Sequence, residues 1–110
     1  MGNSEAMRAG IKIIITYKLK PGISLGNYQR WSQEVDRKVV LAQRGIRSFE
    51  LYLIKGGFAK PTFRILEIIT AGRWQDWLDA LKTPAMTAGH KQWKRFCDKK
   101  SLRVVYGKTF

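Results

Sequence analysis

The chain has 110 residues, 45% of them hydrophobic and 12% aromatic, and a net charge of +13 from 21 Lys and Arg against 8 Asp and Glu. That length holds one domain with one core, and that apolar content argues against disorder. No apolar run approaches the roughly 20 residues of a bilayer helix, and one cysteine with one histidine excludes an internal disulfide and a zinc framework.

Residues 1–10 are small and polar, without the apolar segment of a signal peptide, and read as a flexible leader before a single domain spanning 11–110. With the lone Cys97 this fits a reducing, cytoplasmic location with no membrane partner. Residues 11–19 are dominated by β-branched side chains and predict a strand that Lys20-Pro21-Gly22 ends. Ser24 is placed as an N-cap for a helix whose apolar face runs Leu25, Tyr28, Trp31, Val35, Val39, at gaps of three and four, with Gly45 as its stop. Residues 46–54 and 62–70 predict two further strands, joined through Gly56-Gly57 as an antiparallel hairpin. Trp74, Trp77, Leu78 and Leu81 stripe a second helix, Thr83-Pro84 opens a third over about 85–98, and residues 102–106 close the chain as a fourth strand. The order β-α-β-β-α-β predicts an α+β, ferredoxin-like fold with a four-stranded antiparallel sheet.

Two helices cover one face of such a sheet, and the strands are apolar on both. Ile14, Leu66, Ile68, Tyr52 and Ile54 oppose Ile13, Ile65, Ile69, Leu51 and Leu53. An uncovered apolar face marks an interaction site, so a homodimer closing two sheets into a barrel is expected.

Glu50 and Glu67 are the two acids set inside apolar strands. A carboxylate in an apolar cavity has a raised pKa and suits general acid/base work near neutral pH. The plainer reading pairs Glu67 with a base such as Lys12 or Arg64. The facing expected here puts Glu50, Tyr52, Ile65 and Glu67 in the barrel interior and Phe49, Leu51, Leu66 and Ile68 against the helices. His90 borders the apolar face of the last helix, as a packing residue or as a proton shuttle at the cavity mouth. Tyr28 and Trp31 are core residues or the walls of a pocket for a flat ligand, and Asp36 is read most simply as a solvated helix residue. Cys97 reads as a structural thiol. Lys91-Gln92-Trp93-Lys94-Arg95-Phe96 interleaves bases and aromatics, but helical spacing turns Trp93 and Phe96 inward, so nucleic-acid binding is the less favoured reading.

Tyr17-Lys18-Leu19-Lys20-Pro21-Gly22, Tyr28-Gln29-Arg30-Trp31, Glu34-Val35-Asp36, Ser48-Phe49-Glu50-Leu51-Tyr52, Leu66-Glu67-Ile68-Ile69 and Thr83-Pro84-Ala85-Met86 together resemble the RedY-like family of the dimeric α/β-barrel superfamily. The resemblance implies proton-transfer chemistry, as a cofactor-free cyclase or isomerase, on a small unsaturated or aromatic intermediate of pigment or other natural-product biosynthesis. Asp36 and Glu67 match acidic positions of the family. Joined to the residue reading, this puts Glu67 as the acid/base, with Asp36 or His90 assisting, and Tyr28, Trp31, Glu50, Tyr52, Ile65 and Trp93 around the substrate. After the aspartate the family often carries an aromatic residue and a proline, where this chain has Arg37 and Lys38. The alternatives are a non-enzymatic module that uses its basic surface for nucleic acid or an acidic partner, and a carrier of a hydrophobic intermediate.

Overall fold

The computed structural model describes residues 10–60 and 63–110; most of the expected leader, and Thr62 at the expected start of the third strand, lie outside them. Strand β1 (Ile11–Tyr17) alternates buried and more exposed residues, as a strand with one covered face must. It is shorter than expected: beyond Tyr17 only Leu19 pairs, in an isolated bridge to Cys97. Gly22, in the turn that follows, has φ +81°.

Ser24 caps the first helix as expected, its hydroxyl accepting from the Asn27 amide at 3.2 Å. That helix has three parts: α1 (Leu25–Trp31), a π-helical turn (Ser32–Asp36) and α2 (Arg37–Leu41). The Arg37 amide donates to the Ser32 carbonyl, one residue further back than in an α-helix. At 3.6 residues per turn, positions four apart drift around an α-helix; the wider π turn brings them back into line. The inward ridge is therefore Tyr28, Ser32, Asp36 and Val40, one position along from the expected Trp31, Val35 and Val39. Tyr28, Ser32 and Val40 are buried, while Trp31, Val35 and Val39 stay part-exposed. Gly45 then turns the chain at φ +79°, where an added Cβ would also stand 2.5 Å from Asp76.

Strand β2 (Ile46–Leu53) pairs antiparallel with β3 (Ile65–Ala71), and the Ile54 amide extends the hairpin to the Arg64 carbonyl at 2.8 Å. Helix α3 (Trp74–Leu81) begins where the Asp76 carboxylate accepts from the Arg73 amide at 3.1 Å. Helix α4 (Pro84–Phe96) has Thr83 as N-cap and proline in its first turn, as expected. A short 3₁₀ turn (Lys99–Ser101) leads into β4 (Arg103–Lys108). The sheet order is β2-β3-β1-β4, every neighbour antiparallel, which is the ferredoxin-like arrangement.

The register fixes the faces. Ile13 lies opposite Ile69, Tyr17 opposite Ile65, Phe49 opposite Ile69 and Leu51 opposite Glu67, so all point to the helices. With Tyr28, Val40, Trp77, Met86 and Trp93 they form the core. Ile14, Leu66, Ile68, Tyr52 and Val105 share the other face, which no helix covers. The expected facing is thus corrected for four residues. Ile65 and Glu67 lie under the helices, and Leu66 and Ile68 lie on the open face. Directly opposed residues share a face, and Leu51 opposite Glu67 leaves no other solution.

Candidate functional site

The site grows from a strand position that the core would give to an aliphatic residue. Glu67 occupies the middle of β3 between Ile15 and Leu51, and is 5% exposed. The Tyr17 hydroxyl donates to its Oε2, and the hydroxyls of Tyr17 and Tyr28 share a hydrogen bond, so the three groups form a chain inside the core. Both tyrosines are fully buried, and edge-on ring contacts with each other at 6.3 Å, and of Tyr17 with Trp93 at 5.1 Å, fix their positions.

A buried carboxylate resists ionisation. Burial, joined by the nearby charge of Asp36, pushes Glu67 up to about 8, against the opposing effect of the Tyr17 hydrogen bond. Asp36, brought in by the π turn, is pushed up to about 6 by burial. At neutral pH Asp36 therefore carries the charge and Glu67 the proton, the separation of roles that an acid/base pair needs. Among the described residues no base pairs with Glu67: Lys12, on the open face, donates instead to Thr70 Oγ1 at 2.7 Å. The absence of a basic partner among the described residues corrects the salt-bridge reading of Glu67, and Asp36, part-exposed on the inward ridge, is not the fully solvated residue expected. Burial pushes the tyrosine hydroxyls and the Cys97 thiol up as well, so all three stay neutral. Cys97, buried just past the end of α4, is a structural thiol.

Beside this chain lies a cleft of about 210 Å³ between α1, the π turn and β2. Phe49, Leu51, Leu53 and Ile65 supply its apolar wall, Gln29, Ser32, Gln33 and Arg37 its polar edge, and Tyr28 belongs both to the cleft and to the Glu67 hydrogen-bond chain.

Of the residues expected at a substrate, Tyr28, Tyr52 and Ile65 line this cleft. Trp31 does not; its indole donates to Gln92 Oε1 at 2.6 Å and its ring stacks on Phe96. Trp93 packs between Tyr17 and His90. Glu50 is exposed on the open face, where it accepts from the Tyr52 hydroxyl. His90 is exposed on α4 and lies flat on Trp93; partial burial, then Lys94 and Lys99, lower its pKa, and no polar contact links it to Glu67. Tyr17 was not proposed as a site residue from sequence, and Arg37 was noted only as a departure from the family pattern. The signal for Tyr17 was its phase with Ile11, Ile13 and Ile15, which sends a polar tip into the core where it must find a partner. Among the described residues no group of three or more His, Cys, Asp or Glu converges to hold a metal ion, and no helix is long and apolar enough to cross a membrane.

No curated protein sequence matches the chain. Among solved structures it is similar to HapK from Hahella chejuensis, at TM-score 0.78 and 14% identity over 91% of this chain and 92% of that one. It is also similar to SnoaB, a cofactor-independent oxygenase from Streptomyces nogalater, at TM-score 0.72 and 7% identity over 92% and 93% of the two chains. A dimeric ferredoxin-like protein of unknown function from Bacteroides fragilis matches at TM-score 0.67 and 15% identity over 94% and 99%. These likenesses show the fold. The family model of the REDY-like protein HapK matches residues 11–108, and the chain belongs to that family.

Proposed function

We propose that the protein is a cofactor-independent enzyme of the cyclase or isomerase type that moves a proton on a small unsaturated or aromatic metabolite. The observation that carries this reading is Glu67, a carboxylic acid sealed in the core, held by Tyr17 and facing the charge of Asp36. Substrate occupies the cleft beside Tyr28. When Glu67 acts as the acid its hydrogen bond with Tyr17 reverses, and Tyr17 takes that proton and hands its own to Tyr28, which protonates substrate. Removal of a substrate proton runs the same relay backward into the Glu67 carboxylate. Asp36 holds the second proton position and keeps Glu67 protonated until substrate needs it. A similar fold serves a cofactor-independent oxygenase, so this architecture accommodates chemistry that needs no bound cofactor.

The working unit is a homodimer. Ile14, Leu66 and Ile68 are part-exposed on the open face, Tyr52 is 44% exposed and Val105 59%. A second copy of the same face covers them, as the dimeric relative of similar fold suggests. Glu67 lies on the other side of the sheet, so dimerisation steadies the strand that carries it and meets the cleft at Tyr52.

The test uses benzoylacetone, whose activated C–H exchanges with deuterium oxide. The native protein accelerates exchange over buffer, and Glu67→Gln loses about 10² to 10⁴ of that acceleration while keeping its fold. Full activity in Glu67→Gln, or no acceleration by the native protein, contradicts the assignment. Sedimentation at micromolar concentration shows a dimer; a monomer contradicts the quaternary reading.

A further inference from the structure

Arg37 stands at the polar edge of the cleft, just after the π turn, and is exposed. One guanidinium nitrogen donates to the Phe49 carbonyl at 2.7 Å, which pins the group across from β2. Four of its five N–H donors remain after that bond. Among the described residues no carboxylate pairs with it. Glu50, the acid nearest along β2, is engaged with the Tyr52 hydroxyl.

Arg37 does not serve the buried acids either. Burial is the cause that raises Asp36, and Glu67 answers to burial, Asp36 and Tyr17. A guanidinium next to the buried pair would lower both. The charge is held at the opening, where water keeps it solvated until a ligand arrives. The side chains of Phe49, Leu51, Leu53 and Ile65 on the opposite wall offer apolar surface.

We propose that Arg37 reads an anionic group on the substrate, so that the cleft selects a small flat aromatic bearing a carboxylate. The ring lies against Phe49, Leu51 and Ile65, and the carboxylate takes the free edge of the guanidinium in a two-point contact, for which Arg geometry is suited. The volume of about 210 Å³ falls below the roughly 300–1,000 Å³ of sites for drug-sized ligands and suits one or two rings. The net charge of +13 then acts as a field that draws such anions toward the molecule. This inference rests on the cleft being the substrate site and adds the chemical class of what enters it.

The experiment compares two probes of one shape, 2-naphthoate and the neutral 2-naphthamide, by calorimetric titration. The native protein prefers naphthoate by about 10- to 100-fold, the range expected for hydrogen bonds to a charged group. Arg37→Gln removes most of the preference, leaving only what the remaining positive field gives any anion, and keeps naphthamide affinity within about twofold, while Arg37→Lys keeps more of the preference. An arginine that only clips the helix to β2 would lower both affinities together and leave their ratio unchanged, and that result overturns the proposal. Equal binding of the two probes by the native protein, or binding of neither, also overturns it. Glu67→Gln keeps the naphthoate preference. A protein that prefers naphthoate yet fails to accelerate deuterium exchange therefore refutes the acid/base reading alone.

Discussion

The two faces of the sheet each carry a glutamate bonded to a tyrosine, yet the surroundings make them different groups. On the covered face Glu67 accepts from Tyr17 inside the core, 5% exposed and with a second acid nearby. On the open face Glu50 accepts from Tyr52, and within a single chain both stand exposed. The motif of a strand glutamate beside a tyrosine therefore decides little. What sets the chemistry is whether water can reach the carboxylate, since desolvation penalises the charged form.

The largest expected effect is on stability against pH. Glu67 is raised from 4.5 to about 8, so the folded state holds its proton more tightly than the unfolded state. Its contribution is complete below about 4.5 and is lost as pH rises through about 8. Asp36 acts with the same sign over a lower window, from 3.8 to about 6. A tenfold tighter hold on a proton is worth about 1.4 kcal/mol, so the stability of Glu67→Gln relative to the native protein rises by a few kcal/mol between pH 5 and pH 9. Denaturant melts at both pH values measure this, and a constant difference breaks the contrast between the two faces.

The open face is probed by Ile68→Lys, which sets an unpaired charge where the second copy packs. It weakens the dimer by about 3 kcal/mol or more, read by sedimentation, and leaves the fold of each chain intact. Next in size, Tyr17→Phe removes the donor to Glu67 and strands the Tyr28 hydroxyl, at about 1–3 kcal/mol in chemical denaturation. Because the Tyr17 hydrogen bond lowers the Glu67 pKa, its loss raises that pKa further. The smallest effect belongs to Glu50→Gln. Its side chain still offers Tyr52 an acceptor, and deuterium exchange stays within about twofold of native.

The element order, the Ser24 and Thr83 caps, the Gly45 turn and the two-sided apolar strands were all legible in the sequence, because capping and alternation are local rules. The facing of Glu67 was not, because it follows from pairing β2 with β3 in one register, and a one-residue slip inverts a whole strand. Asp36 was named through the resemblance, but its place on the inward ridge was missed for a related reason. Gaps of three and four assume an unbroken α-helix, and the π turn moves the inward ridge by one position. Glu67 itself was found because an acid in an apolar strand stands out. Its partner Tyr17 did not stand out, since tyrosine is an ordinary strand residue. His90 attracted attention as the lone histidine, but its position on α4 turns it to solvent.

The chemistry proposed for the covered face requires Glu67 to be a protonated acid at neutral pH. A carbon NMR titration of its side-chain carboxyl, assigned by the missing signal in Glu67→Gln, tests this directly. The predicted result is a midpoint near 8; a midpoint near the ordinary 4.5 would contradict it.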